Sequence, residues 1–316
     1  MEKLSLERTN TKITTQEAFN RFLRIKKAKN LSPETIRYYD DSFRYFGEYF
    51  DITLPCIEIT IDTYYGYIEY LQENKNANPI TMNSYLRALR TILYFFMEEG
   101  YTKQFKISLL KVPKHIKETY TDEELERLLK KPDIKKCNFT EYRNWVMANY
   151  FLGTGNRLST AINVKIGHLD FENSLIFMGK TKNGRQQLIP MSKSLSEVLQ
   201  EYLIYRKGTE EDYLFCNLHG GQLTRDGTTC LMGKYHKNRG VNKTSIHSYR
   251  HTFAKKWILN GGDIFRLQKI LGHSSLDMVR NYVEMFNEDL QKDFETFNPL
   301  DNFVKDKRAD VLRMKK

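Results

Sequence analysis

The sequence contains no run of about 18 apolar residues, the length a helix needs to cross a bilayer. Residues 1–12 hold no apolar core of the kind an export signal requires. Cysteine is scarce: Cys56, Cys137, Cys216 and Cys230 lie far apart with no Cys-x-x-Cys pair, which argues against a disulfide framework and against a structural zinc site. Internal repeats and low-complexity tracts are also missing. These absences predict a soluble, non-exported protein of a reducing cytoplasm, with no membrane partner. What is present suffices for packed cores, since 40% of the 316 residues are hydrophobic, and that length suits two domains better than one.

Charge is unbalanced, with 50 Lys+Arg against 39 Asp+Glu and a net charge of +11. Composition alone leaves two readings open, a solvated basic surface or a footprint for a polyanion. Arg21, Arg24, Lys26, Lys27 and Lys29 crowd one segment, and Lys103, Lys106, Lys111, Lys114 and Lys117 recur through another that also holds Pro113. Taken singly, either cluster reads as a solvated helix face or a linker.

Residues 14–100 predict four amphipathic helices joined by short loops. Thr14 and Glu17 have capping-box spacing, and Phe19, Phe22, Leu23 and Ile25 form the stripe that follows. Ser32-Pro33 is a second start, with Ile36, Tyr39, Phe43 and Phe46 on one side. A third helix is expected over 62–72 and a fourth over 79–99, stopped at Gly100. Periodicity then fades and lysines dominate to residue 119, the pattern of an interdomain connection. Thr121 with Glu124 begins a second domain, helical to Leu128 and again over 140–151, and stopped at Gly153-Thr154-Gly155. The strong β signal is a hairpin, 174–178 and 186–190 around Asn183-Gly184, whose residues supply the positive φ angles of a tight turn. A helix over 195–205, a strand over 213–216 and further helices complete the reading. The expected fold is mainly α with a small antiparallel β-sheet. It divides into an N-terminal extension (1–13), a helical bundle (14–100), a basic linker (101–117), a mixed α+β domain (118–297) and a basic tail (298–316).

Four separated pieces can carry chemistry. The turn Gly153-Thr154-Gly155-Asn156-Arg157-Leu158-Ser159 can present backbone N–H groups and a bidentate guanidinium to a phosphate, but it lacks the Gly-Lys-Ser/Thr ending of a nucleotide-binding loop. Lys180 and Lys182 lie in the hairpin turn, where lysines are ordinarily solvated. His247 and Arg250 stand at i and i+3, so both can address one anion. Gly272 ends a helix begun near Asp263 and sets His273 in a loop, after which Ser275 and Asp277 open a helix that carries Tyr282. His247 and His251 have an i, i+4 spacing used by zinc enzymes, but no glutamate lies between them as a metalloprotease requires.

In this order, arginine, hairpin lysine, His-x-x-Arg, Leu-Gly-His and a tyrosine nine residues on, the chain resembles the tyrosine recombinase/integrase family of the Xer and phage-integrase type. The resemblance covers most of the chain. It implies that residues 14–100 are a SAM-like core-site DNA-binding domain and that residues from about 118 to 290 are the catalytic domain. Carried over by position, the phosphate-binding arginines are Arg157 and Arg250, the histidines His247 and His273, and the nucleophile Tyr282. The general acid falls on Lys182, with Lys180 as the competing assignment. One departure stands out: the family commonly continues Arg-x-Ser-Glu, whereas here Thr160 follows Ser159, which predicts altered local packing rather than inactivity.

The resemblance implies a covalent 3′-phosphotyrosyl DNA intermediate and passage through a Holliday junction, without metal, ATP or other cofactor. It also implies double-stranded DNA with specific core sites as the partner, a homo-tetramer on two sites, and room for accessory DNA-bending proteins. DNA contacts are expected from Arg87 and Arg90, from Lys111, Lys114 and Lys117 in the linker, and from Lys234 and Lys243, with the two domains clamping the duplex. Two other functions fit such a chain: a catalytically silent DNA-binding protein of the same fold, and a type IB topoisomerase.

Overall fold

The computed structural model describes residues 13–75, 77–112, 118–178 and 187–272. The chain divides between His115 and Ile116 into two compact units.

The first unit holds helices α1 (Thr15–Ala28), α2 (Pro33–Gly47), α3 (Ile61–Asn74) and α4 (Pro79–Glu98). Their starts follow from local chemistry. Thr14 Oγ1 accepts from the Glu17 N–H at 3.2 Å while the Glu17 carboxylate accepts from the Thr14 N–H at 3.0 Å, so two otherwise unpaired donors are satisfied reciprocally. Ser32 and Asn78 cap α2 and α4, each followed by a proline whose fixed φ suits the first turn. The core is aromatic: Phe19 stacks on Phe43 at 3.7 Å between ring centroids, and Phe22, Phe46, Tyr67 and Phe96 are buried around them.

The connection expected from residue 101 is docked on this bundle over its first ten residues. Tyr101 and Ile107 are buried in the core, and Phe105, Leu109 and Leu110 pack against it. Asn83 Nδ2 donates to the Leu110 carbonyl at 2.8 Å, and the Leu110 N–H donates to Asn83 Oδ1 at 3.0 Å. The reason is a period-two pattern of apolar residues over 105–109, which turns Lys103, Lys106 and Lys111 to solvent while the apolar residues face in.

In the second unit, helices α5 (Asp122–Leu129), α6 (Phe139–Thr154) and the one-turn α7 (Leu158–Ala161) precede strands β1 (Leu169–Asp170), β2 (Leu175–Met178) and β3 (Gln187–Pro190). Helices α8 (Lys193–Arg206), α9 (Arg225–Asn238), α10 (His247–Leu259) and α11 (Ile264–Leu271) follow. Buried on nearly every side, α6 is the hub, and α5, α8, α9 and α10 pack on it.

The sheet is antiparallel in the order β1-β2-β3, with Ile176 opposite Ile189 and Phe177 opposite Leu188. Ile176, Met178 and Ile189 face the core, and Phe177 and Leu188 face solvent. The hairpin expected from the sequence is therefore present in its strands, while its turn, 179–186, lies outside the described residues. The strand expected over 213–216 is reduced to isolated bridges, Lys165 to Tyr213 and Cys216 to Gln222. Its apolar run is used instead to bury Leu214 and Phe215 beside the Val164 carbonyl, which accepts from the Leu214 N–H at 2.7 Å. Among the described residues, no helix is long and apolar enough to cross a membrane.

Candidate active site

The first box begins where α6 stops. Gly155 adopts φ 63°, and its N–H caps the Phe151 carbonyl. No side chain fits here, because a Cβ on Gly155 would lie 2.7 Å from both Leu271 Cδ2 and Phe253 Cδ1. Asn156 is buried and fixes the turn: its Nδ2 donates to the Tyr150 hydroxyl at 2.8 Å and its N–H to Thr154 Oγ1 at 3.2 Å. The chain then surfaces. Arg157 is exposed at the N-cap of α7, with its carbonyl accepting from the N–H groups of Thr160 and Ala161 at 3.0 Å each. The helical turn is thus kept with Thr160 at the position where the family commonly has glutamate.

The third box opens α10. His247 is its first residue and is exposed, whereas Arg250, one turn on, is only 5% exposed. Arg250 Nη1 donates to the Gly155 carbonyl at 2.9 Å and Nη2 to the Leu271 carbonyl at 2.7 Å. These carbonyls belong to the C-terminal ends of α6 and α11, where helix dipoles leave partial negative charge. Two helix ends therefore help to stabilise one buried guanidinium, and the same group ties the first box to the fourth.

Behind this face, α10 is anchored by buried polar contacts. Thr252 Oγ1 accepts from the Tyr120 N–H at 2.8 Å and donates to the Ser248 carbonyl at 2.7 Å. The Tyr249 hydroxyl meets His236 Nε2 at 2.9 Å. Burial lowers the His236 pKa to about 4 and raises that of Tyr249 well above the ordinary phenol, so both groups are neutral near pH 7.

The fourth box begins at the end of α11. Asp263 caps the helix start by accepting from the Arg266 N–H at 2.7 Å, and Gly272 ends it with φ 63°. Its terminal carbonyls are bound by side chains from elsewhere. Gln187 Nε2 donates to those of Lys269, at 2.9 Å, and Ile270, while Arg250 takes that of Leu271. Gln187 opens β3, the strand that leaves the hairpin, and sits opposite Met178.

The described parts of the first, third and fourth boxes, together with the strand after the hairpin, thus meet at one place. Lys182 with its competitor Lys180, His273 and Tyr282 lie outside the described residues, as do Lys114 and Lys117. Among the described residues, no three His, Cys, Asp or Glu side chains gather as a metal-ion site. Sequence reasoning missed Gln187 and Asn156. A single amide at the edge of a strand or turn carries no pattern that marks it in advance.

Of the expected DNA contacts in the first unit, Arg87 and Lys111 are exposed and Arg90 is half-buried. Arg90 lines a groove of about 500 Å³ with Lys26 and Lys29 of α1, and Glu98 and Glu99 share its wall. In the second unit Lys234 is exposed. Lys243 is engaged internally, its Nζ donating to the Thr119 carbonyl at 3.0 Å and to Glu124 Oε2 at 2.9 Å.

This architecture has known counterparts. Residues 118–288 match the phage integrase family, and residues 7–112 match the phage integrase SAM-like domain. Tyrosine recombinase XerD of Listeria monocytogenes is 25% identical over 297 residues, covering 90% of this chain and 98% of the relative. Tyrosine recombinase XerC of Leptospira interrogans is 26% identical over 293 residues, covering 90% and 93%. In fold, the chain is similar to the Tn1549 transposon integrase solved with transposon right-end DNA, with a TM-score of 0.72, 20% identity and coverage of 90% and 99%. It is also similar to a lambda integrase fragment solved as a dimer on a core site, with a TM-score of 0.69, 16% identity and coverage of 87% and 97%. A SAM-like helical domain followed by an integrase catalytic domain defines a DNA strand-transfer enzyme. The chain belongs to the phage integrase family and is a tyrosine recombinase, an enzyme that cuts and rejoins DNA.

Proposed function

We propose that the protein is a site-specific recombinase in which Tyr282 attacks a DNA phosphodiester held by Arg157 and Arg250. The observation that carries this reading is the pair of hydrogen bonds that Arg250 donates to the Gly155 and Leu271 carbonyls, which draws three separated boxes together. Negative charge grows on the non-bridging oxygens as the nucleophile adds. Arginines fixed from different elements suit that charge, because their planar donors are preorganised.

The phenol of Tyr282 gives up its proton to His247 as its oxygen bonds to phosphorus, while His273 hydrogen-bonds the phosphate. The bond from phosphorus to the 5′ oxygen breaks, and Lys182 delivers a proton to the leaving oxygen. A 3′-phosphotyrosyl strand and a free 5′ hydroxyl result. Attack by a partner strand's 5′ hydroxyl reverses the step in a new connection, and two such exchanges pass through a Holliday junction. One ester bond replaces another, so no ATP is consumed.

In this reading residues 14–100 bind the core site, the basic stretch 101–117 tracks the backbone, 118–297 cut, and 298–316 dock on a neighbouring subunit. Four protomers act on two DNA sites in the cytoplasm, with accessory bending proteins where the site requires them. Arg87, Arg90, Lys111, Lys114, Lys117 and Lys234 meet the duplex. Lys243 joins them by releasing Glu124.

The test is a nicked suicide DNA carrying the recognition site, taken first from the sequence flanking the gene. A covalent adduct in a denaturing gel, lost in Tyr282→Phe, is the expected result. An adduct that persists in Tyr282→Phe overturns the nucleophile. Absence of any adduct on a verified site favours the silent DNA-binding protein, and relaxation of supercoiled plasmid without a specific site favours a topoisomerase.

A further inference from the structure

The two carbonyls bound by Gln187 and the one bound by Arg250 are consecutive, those of Lys269, Ile270 and Leu271. A helix end leaves its last carbonyls short of intrahelical partners; the Gly272 N–H reaches that of Lys269 at 3.1 Å, and two distant elements supply the further donors. Arg250 comes from α10. Gln187 comes from β3, 82 residues before Lys269 in the chain. Close packing reinforces the contact, since a Cβ on Gly272 would lie 3.0 Å from Gln187 Oε1. Gln187 stands five residues after Lys182, and Gly272 immediately precedes His273. The amide therefore fastens the strand that follows Lys182 in the chain to the helix end that precedes His273.

We propose that Gln187 is a positioning residue for strand cleavage: by holding β3 on the C-terminus of α11 it fixes where the chain returns from Lys182 relative to where it departs toward His273. This rests on Lys182 as the proton donor to the leaving 5′ oxygen. Gln187 touches neither substrate nor reacting atoms. Its effect falls on the step in which the bond from phosphorus to the 5′ oxygen breaks and that oxygen takes the lysine's proton.

The test compares single-turnover cleavage of two DNA substrates by the full chain, one with an ordinary scissile phosphodiester and one with sulfur in place of the bridging 5′ oxygen. The thiolate leaves without needing a proton, so a defect in proton delivery disappears on the sulfur substrate. Gln187→Met keeps the side chain's length and removes its donor. It is expected to slow cleavage of ordinary DNA by about 10²-fold, the lower end of what general acid catalysis contributes, and to cleave the sulfur substrate within a fewfold of the parent protein. Gln187→Glu, which sets a carboxylate against the carbonyls, is expected to behave alike, and Lys182→Ala gives the reference rescue.

Parental rates for both Gln187 variants on ordinary DNA overturn the proposal. So does equal slowing on both substrates by variants that unfold at the parental temperature, because a defect in proton delivery would be rescued by sulfur. If Lys182→Ala itself is not rescued while the parent protein cleaves both substrates, the assignment of the general acid fails, and the proposal fails with it.

Discussion

The two units share their means of cohesion but weight them differently. In the first, rings fill the centre, as in the Phe19–Phe43 stack and the buried Phe22, Phe46 and Tyr67, and the side-chain bonds that start its helices are local. In the second, polar side chains reach across the unit to backbone carbonyls: Arg143 Nη1 to Cys216 at 2.7 Å, Tyr235 to Leu128 at 2.6 Å and Arg250 to Gly155 and Leu271. An apolar core tolerates exchange of volume for volume. A guanidinium that bridges two carbonyls has no substitute among the other side chains. In the second unit Arg250, proposed to bind the phosphate, is also one of the groups that tie the fold together.

Breaking the bridge is the largest single perturbation this contrast predicts. Arg250→Ala leaves two buried carbonyls without their donor, a cost of roughly 3–5 kcal/mol in urea unfolding. In the proposed mechanism it also removes a phosphate ligand, so single-turnover cleavage is expected to fall by at least about 10²-fold. Arg250→Lys keeps the charge but reaches one carbonyl at most, and its cleavage is expected to stay closer to the alanine variant than to the parent.

In the first unit the matching experiment is Phe46→Ala, which opens a cavity in the aromatic core. Unfolding should cost about 3–5 kcal/mol less than in the parent. The contrast lies in function: with DNA saturating and the protein folded, the rate of phosphotyrosyl formation is expected to stay within a fewfold of the parent's.

The helical bundle was legible in the sequence because its rules are local. Thr14 with Glu17 and Ser32 with Pro33 predicted where the first two helices start, and the stripes of Phe and Ile which face they bury. Gly155 and Gly272 were legible as stops for the same reason, each taking a positive φ that ends a helix. Less visible were features that depend on distant partners. The apolar alternation over 105–109 was masked by its lysines, and residues 101–110 read as a linker although they pack on the bundle. The site was read from the order of its boxes, which names residue types but not their surroundings. Nothing in His247-Ser248-Tyr249-Arg250 tells that the arginine is buried against two helix ends while the histidine is exposed.

A smaller effect separates the units by pH. Burial gives His236 a folded-state pKa of about 4 against 6.5 for a free imidazole. The unfolded chain therefore binds the proton first as pH falls. Stability is fully present above about pH 6.5 and declines toward pH 4, by up to about 3 kcal/mol from this group. His236→Gln removes the titration, and urea midpoints measured from pH 7 to 4 should show a shallower decline in the variant. Smaller still is Thr14→Ala, which removes one helix cap and is expected to cost about 1 kcal/mol.

Which atom joins the DNA decides the mechanism. Adduct formed on end-labelled suicide substrate, digested with protease and sequenced by mass spectrometry, should carry a 3′-phosphoryl strand on the peptide holding Tyr282. A strand attached to any other of the chain's 20 tyrosines, or joined through its 5′ end, would contradict it.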